Sequence, residues 1–151
     1  MKRANFFLLS LLAFFSCSQN DKSSNPPTVQ VSNGLKQKVL VANLSYPWEI
    51  LWGPDNFIWM TERGGRISRV HTGTGAVSPV YVIPDVETNG EGGLLGMALH
   101  PQFASNPFVY VVYDYNNSNG YREKVVRFTY QNNTLMSPFI LLDNIHASSI
   151  H

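Results

Sequence analysis

Histidine is the first residue type in this chain that could carry acid–base chemistry. An imidazole with its ordinary pKa near 6.5 is suited to accept a proton at neutral pH. The chain has four histidines: His71, His100, His146 and His151. His71 and His100 stand next to turn sequences, which favours a structural role for both. His146 and His151 are five positions apart, a spacing that does not indicate a pair of metal ligands.

A glutamate set among glycines is the second candidate. Glu91 lies between Gly90 and Gly92-Gly93, in a segment that precedes an apolar run. A glycine-rich phosphate loop would be followed by a helix, and no helical pattern follows here, so a dinucleotide site is not predicted. The glycines are better explained by close backbone packing. Glu91 is then either a site residue or a solvated loop carboxylate.

Composition excludes several classes of protein. The chain has 151 residues, of which 44% are hydrophobic and 14% charged, and its formal net charge is +1. This composition excludes a disordered tail, and the near-neutral charge gives no basic surface for nucleic acid. A single cysteine excludes a disulfide framework and a cysteine-rich metal site.

The N-terminus has the layout of an export signal. Met1-Lys2-Arg3 is followed by an apolar run over residues 6–15 and then by Ser16-Cys17. This run is roughly half the length that a bilayer-spanning helix needs. We predict a lipoprotein-type signal peptide over residues 1–17, with Cys17 as the lipid-bearing residue after cleavage. The alternatives are an ordinary signal peptide with an incidental cysteine, or a short membrane anchor.

Export is expected on either interpretation of the signal, and the lipoprotein interpretation predicts a periplasmic or cell-surface location in a bacterium. The polar Ser/Asn/Pro-rich segment that follows predicts a flexible tether over residues 18–34. The folded domain is expected over residues 35–151, and the lipid would be its only link to a membrane.

Short apolar runs separated by turn sequences predict an all-β domain. The expected strands cover residues 47–52, 57–62, 66–71, 77–83, 94–99, 108–115, 124–130 and 139–142. The segment that contains Asp114, Asn116, Asn117 and Asn119 is expected to be a loop; it lacks the spacing of a calcium-binding EF-hand. The three tryptophans, Trp48, Trp52 and Trp59, are expected to pack between layers.

The two sets of four strands resemble each other at an offset of roughly 50 residues, as the blades of a β-propeller do. A single eight-stranded β-sandwich is the alternative. Propellers close with about four to eight blades. We therefore expect the N-terminal arc of a longer protein, about two blades and the start of a third, or else a truncated gene product.

The residues of both sets also resemble a known family. Residues 47–63 (PWEILWGPDNFIWMTER) and 65–70 (GRISRV) are similar to the first blade of the soluble quinoprotein glucose/sorbosone dehydrogenases. Residues 89–103 (NGEGGLLGMALHPQF) are similar to the second-blade segment of that family. The resemblance implies a six-bladed propeller that holds pyrroloquinoline quinone (PQQ) on its axis with calcium beside it.

The resemblance also implies an activity and roles for individual residues. The whole protein would oxidise aldose sugars by hydride transfer to PQQ and pass electrons to an external acceptor. His151 matches the position of the family's catalytic base, and Glu91 the position of a residue that reaches the sugar. The ligands of PQQ and calcium are expected beyond residue 151, with no metal ligand in this chain, and the chain alone is expected to be inactive. Ile150 stands where glucose-oxidising members often have an acidic residue, which leaves the preferred sugar open.

A function without catalysis is the alternative. The loop over residues 90–96 also resembles the propeller of hedgehog-interacting proteins, which bind a protein partner. Basic residues clustered near the axis of the remaining blades would favour the enzyme, and their absence would favour the binding protein.

Overall fold

The computed structural model of the chain describes residue 34 and residues 36–150. The predicted signal peptide with Cys17, the predicted tether apart from Gly34, and His151 lie outside the described residues. Within the described part, no helix has the length and apolar character needed to cross a membrane.

The described domain is all-β, as predicted, and consists of two antiparallel four-stranded sheets in which each strand pairs with the next. The first sheet contains β1 (Pro47–Trp52), β2 (Phe57–Glu62), β3 (Arg66–His71) and β4 (Val77–Val82). The second contains β5 (Leu94–Leu99), β6 (Phe108–Asn117), β7 (Gly120–Gln131) and β8 (Thr134–His146).

Tight turns set the register of the strands. Between β1 and β2, Asn56 adopts a φ of 63°, and the Gly53 N–H donates to the Phe57 carbonyl at 2.8 Å. Between β7 and β8, Asn132 and Asn133 have φ values of 53° and 61°. Two consecutive positive φ values match the right-handed twist of a two-residue hairpin, and asparagine tolerates them better than most residues.

The second sheet is longer than the sequence predicted. Asp114 and Asn116 pair with Glu123 and Tyr121, so the expected loop is instead the end of the β6–β7 hairpin, and only Asn119 lies in its turn. β8 extends well beyond the predicted residues 139–142 because register shifts interrupt its pairing with β7 without ending it. Such irregularities disrupt the alternation of polar and apolar residues from which strands are predicted.

The core lies between the two sheets. Trp59 and Ile67 of the first sheet are fully buried and face Val109 and Val126 of the second. The Trp59 ring lies edge-on to the rings of Phe103 and Tyr130, with centroids 5.7 and 5.0 Å apart. This packing confirms the prediction for Trp59.

Trp48 and Trp52 are 45% and 67% exposed, so they do not pack between these two sheets, and the prediction for them stays a prediction about the whole protein. In the register of β1 with β2, Leu51 pairs with Trp59 and Trp52 with Ile58. Because side chains alternate across a strand, Leu51 shares the core face with Trp59, and Trp52 points away from the second sheet.

The two sheets pack as consecutive propeller blades. β1 lies against β5, and β4 lies against β8, so equivalent strands are neighbours. One end of this pair is formed by the β2–β3 turn, the connection of residues 83–93 and residues 147–150. We call it the upper end.

Candidate functional site

The connection of residues 83–93 carries Glu91 at the upper end. It runs from the outer strand of the first blade, β4, to the inner strand of the second, β5. The Gly92 N–H donates to the Asn89 carbonyl at 2.9 Å, which closes a turn over residues 89–92. The Glu91 side chain is exposed, and its carboxylate has no hydrogen-bond or ion-pair partner among residues 34 and 36–150. It is therefore available to a ligand.

Glycine is required on both sides of Glu91. A Cβ at Gly90 would lie 2.3 Å from the Ser149 carbonyl oxygen, and one at Gly93 would lie 2.4 Å from the Arg63 carbonyl oxygen. A Cβ at Gly92 would lie 2.2 Å from Asp114 Oδ2. The prediction that these glycines permit close backbone packing is confirmed.

A buried carboxylate supports the turn from the second blade. Asp114 of β6 is fully buried, and its Oδ2 accepts hydrogen bonds from the Gly93 N–H at 2.8 Å and from the Tyr121 hydroxyl at 2.9 Å. Burial, followed by the hydrogen bond to Asp114 and its charge, raises the pKa of Tyr121 above its usual range. Tyr121 therefore keeps its proton and serves as a donor to Asp114 near neutral pH.

An arginine supports the turn from the first blade. Arg63, in the β2–β3 turn, donates from Nη1 to the Gly90 carbonyl at 2.5 Å. Its guanidinium lies 4.8 Å from the centre of the Tyr46 ring. Its own carbonyl accepts the Leu94 N–H at 2.8 Å. Arg63 thus holds the connection on both sides of Glu91.

The segment before His151 also reaches this turn. The Glu91 N–H donates to the Ser149 carbonyl at 3.1 Å. Ser149 stands two positions before His151 in the sequence. The structure thus brings Glu91 to the segment that leads to His151, whereas His151 itself lies outside the described residues and its predicted role stays a prediction.

The other histidines have positions that explain them structurally. His71 Nδ1 accepts the Gly73 and Thr74 N–H groups at 3.2 and 3.3 Å, which closes the β3–β4 turn. His100 Nδ1 accepts the Gln102 N–H at 3.1 Å. His146 is the last residue of β8, where it pairs with Arg122. The structural role expected for His71 and His100 is confirmed.

Arg63, Asp114 and Tyr121 are parts of the site that sequence reasoning did not identify. Asp114 interrupts the apolar run of β6, and an aspartate in such a run is rarely buried without a partner. That signal could have pointed to a buried polar contact. No local signal marks Arg63 or Tyr121, because their partners are distant in sequence.

The two four-stranded sheets pack as consecutive blades and carry, at their upper end, a glutamate flanked by glycines. This arrangement defines a segment of a β-propeller. Residues 44–150 match the family described as Glucose / Sorbosone dehydrogenase. The chain belongs to this family.

Known relatives agree with this assignment. The chain is 37% identical to quinoprotein glucose dehydrogenase B of Acinetobacter calcoaceticus, over 80% of this chain and 27% of that protein. It is 33% identical to an aldose sugar dehydrogenase of Escherichia coli, over 80% of this chain and 30% of that protein. The chain therefore spans less than a third of the length of these curated relatives.

Solved structures show the same fold. The PQQ-bound aldose sugar dehydrogenase of Streptomyces coelicolor superposes with a TM-score of 0.69 at 28% identity, over 76% of this chain and 35% of that one. The apo form of the soluble Escherichia coli aldose sugar dehydrogenase gives a TM-score of 0.64 at 28% identity, over 70% and 32%. The propeller prediction is thereby confirmed over the sandwich alternative.

Proposed function

We propose that the whole protein is an exported quinoprotein dehydrogenase that oxidises aldose sugars by hydride transfer to PQQ. The family match over residues 44–150 carries this proposal. The curated relatives reported above are named as a quinoprotein glucose dehydrogenase and an aldose sugar dehydrogenase, and one related structure contains PQQ. These names favour the enzyme over the protein-binding propeller.

Glu91 is proposed to contact the sugar. Its carboxylate is exposed and without a partner in the described part of the chain, while the backbone on both sides is fixed. A carboxylate in this state can accept hydrogen bonds from sugar hydroxyl groups. Within the described residues, it has no ion pair to break first.

His151 is proposed as the base that accepts the hydroxyl proton of the sugar. Oxidation of an aldose at its anomeric carbon removes a hydroxyl proton together with a hydride, and PQQ supplies the hydride acceptor. The contact between Glu91 and Ser149 supports this role, because it brings the residues preceding His151 to the proposed sugar contact.

The ligands of calcium and of the PQQ carboxylates are proposed to lie elsewhere in the whole protein. Among residues 34 and 36–150, no group of three or more His, Cys, Asp or Glu side chains could hold a metal ion. Two basic side chains near the upper end are already engaged, Lys124 by Asp85 at 2.6 Å and Arg63 by the Gly90 carbonyl. We propose that parts of the whole protein outside these two blades hold both groups.

The test is reconstitution of the whole protein with PQQ and calcium, followed by dye reduction with a panel of aldoses. We expect sugar-dependent reduction that requires PQQ. Stoichiometric PQQ binding without reduction by any aldose would contradict the substrate class. Absence of PQQ binding, together with capture of a defined protein ligand, would instead support the binding-propeller alternative.

Two substitutions test the proposed residue roles in the same assay. His151→Ala should lower turnover by roughly 10² to 10⁴ while PQQ remains bound. Glu91→Ala should raise KM for the sugar by about tenfold or more, because a hydrogen bond to a charged group is lost. Glu87→Gln is the matched control, since Glu87 lies in the same connection and contacts Asp114 through its backbone. Full turnover in His151→Ala would remove the assigned base.

Export as a lipoprotein through Cys17 is proposed from the sequence alone. Labelling of the expressed protein with a radioactive fatty acid should modify the wild type and leave Cys17→Ser unmodified. A labelled Cys17→Ser variant, or an unlabelled wild type, would overturn the anchor.

A further inference from the structure

The Glu91 turn is held by one positive and one negative side chain from different blades. Arg63 of the first blade donates to the Gly90 carbonyl, on one side of Glu91. Asp114 of the second blade accepts the Gly93 N–H, on the other side. Hydrogen bonds with an ionised partner are roughly twice as strong as those between neutral groups. Each end of the turn is therefore held by a hydrogen bond with a charged side chain.

Neither charge, that of Arg63 or that of Asp114, has an oppositely charged partner within the described residues. Asp114 is fully buried, and its Oδ1 has no hydrogen-bond partner in the described structure. A buried carboxylate without a countercharge is costly, so stability alone does not explain an aspartate at this position in β6. Its contact with the Gly93 N–H does explain it.

Backbone contacts of the same two residues reinforce this arrangement. The Asp114 N–H donates to the Gly93 carbonyl at 3.0 Å, and the Asp114 carbonyl accepts the Glu87 N–H at 2.9 Å. The Arg63 carbonyl accepts the Leu94 N–H. The turn therefore keeps one position relative to both blades, although the Glu91 side chain itself has no partner in the described part of the chain.

We infer that Arg63 and Asp114 are positioning residues that fix the backbone of the turn from which the Glu91 carboxylate reaches the sugar hydroxyl groups. This inference rests on the proposed function. A fixed backbone loses less conformational freedom when the sugar binds, so loosening the turn weakens sugar binding even though Glu91 is unchanged. Neither residue is required to contact the sugar or PQQ.

The test uses Arg63→Gln in the whole protein loaded with PQQ and calcium. Glutamine removes the charge and shortens the side chain. We expect KM for the sugar to rise about fivefold to tenfold with kcat changed less than about threefold. The stoichiometry of PQQ binding should stay the same. Arg63→Lys should recover part of the lost affinity, because the ammonium group can also donate to the Gly90 carbonyl.

A second measurement is independent of activity. Amide hydrogen exchange over residues 90–93 should be faster in Arg63→Gln than in the wild type. Arg127→Met is the matched control: Arg127 also stacks on an aromatic ring, 4.5 Å from Phe108, but contacts no residue of the turn. It should leave both the exchange of these amides and KM unchanged.

The outcomes separate this inference from the proposed function. If the wild type does not oxidise aldoses, the proposed function fails, whatever the exchange data show. If the wild type is active and Arg63→Gln keeps the wild-type KM, the positioning role is overturned, even when exchange is faster. If Arg63→Gln does not fold, Asp114→Leu, which removes the acceptor of the Gly93 N–H, replaces it, and an unchanged KM in that variant likewise overturns the role.

Discussion

The position of the turn that carries Glu91 depends on the glycines beside that residue. Gly90, Gly92 and Gly93 let the backbone approach Ser149, Asp114 and Arg63 at distances that a Cβ would prevent. Gly90 and Gly93 also have φ values of 58° and 146°, which other residues rarely adopt.

Replacement of Gly93 by alanine should therefore destabilise the protein. The new Cβ would meet the backbone oxygen of Arg63, which cannot rotate away as a side chain could. We expect a loss of about 1–3 kcal/mol in the free energy of unfolding, measured by urea denaturation. Gly64→Ala is the control, because nothing lies within 4 Å of a Cβ at that position. Equal effects of the two substitutions would refute the packing role of Gly93.

Glu62 gives the protein a predictable response to acid. It is 2% exposed, and its burial opposes ionisation. The hydrogen bond from Arg66, the Ser45 N–H at 2.6 Å and the charge of Arg66 outweigh that burial, so the pKa of Glu62 lies below its usual value of 4.5. A lowered carboxylate pKa stabilises the fold at pH values above 4.5, and this contribution is lost as pH falls through the folded-state pKa.

Glu62→Gln should accordingly reduce the dependence of stability on pH in acid. The free energy of unfolding of the wild type should fall more steeply between about pH 5 and pH 3 than that of the variant. Urea denaturation at a series of pH values measures both slopes. Glu49→Gln, on the same sheet, serves as the control, and parallel curves for Glu62→Gln and the wild type would contradict this account.

Of the candidate site, Glu91 and its glycines could be predicted from the sequence, whereas Arg63 and Asp114 could not, for a physical reason. The glycines around Glu91 are a local signal that can be recognised without a structure. Arg63 contacts Gly90 across 27 positions, and Asp114 contacts Gly93 across 21 positions. These partners meet only because the register of β2, β5 and β6 brings their ends together, and that register is a property of the folded sheets.

At the scale of elements, the two blades repeat each other down to their side chains. Arg69 of β3 lies 4.5 Å from the centre of the Phe57 ring on β2, and Arg127 of β7 lies 4.5 Å from that of Phe108 on β6. The strand ends of the first blade were predicted almost to the residue because glycine-rich turns separate its strands. In the second blade β5 was also predicted to the residue, whereas β6, β7 and β8 extend beyond their predicted ends because they form long hairpins that contain polar residues.

Within the described residues, an ion pair joins the second blade to the connection that follows the first. Lys124 of β7 is 8% exposed; its ammonium lies 2.6 Å from Asp85 Oδ2 and 4.0 Å from the centre of the Tyr115 ring. Asp85 belongs to the connection that follows the first blade, and it also accepts the Tyr113 hydroxyl at 3.1 Å. Burial, followed by the charge of Asp85, raises the pKa of Tyr113 well above its usual range, so this hydroxyl remains a donor.

Lys124→Met should weaken the contact between the blades. Methionine fills the space of the lysine stem but leaves Asp85 without its ammonium partner. Because the Asp85 side chain is 47% exposed and water can solvate it, we expect a modest loss of about 1–2 kcal/mol in the free energy of unfolding. Lys38→Met, at an exposed position, should have no effect. A Lys124→Met variant as stable as the wild type would show that the pair contributes nothing.

At the scale of the whole molecule, both blades expose apolar surface in the described part of the chain. Ile50 and Trp52 are 61% and 67% exposed on the first blade. On the second blade, four consecutive residues of β8 are between 42% and 59% exposed: Phe139, Ile140, Leu141 and Leu142. Propeller blades bury such faces against their neighbours. We infer that other parts of the whole protein cover these residues. This agrees with the chain covering only 27% and 30% of the length of the two curated relatives.

Under the proposed function, these blades carry part of the sugar site of a PQQ-dependent dehydrogenase. The most direct test of this proposal is a single-turnover experiment, in which the whole protein, loaded with PQQ and calcium, is mixed with an aldose without any electron acceptor. We expect the absorbance of oxidised PQQ to disappear at a rate that saturates with sugar concentration, and His151→Ala to slow that step while PQQ stays bound. Bound PQQ that stays oxidised with every aldose tested would contradict the claim.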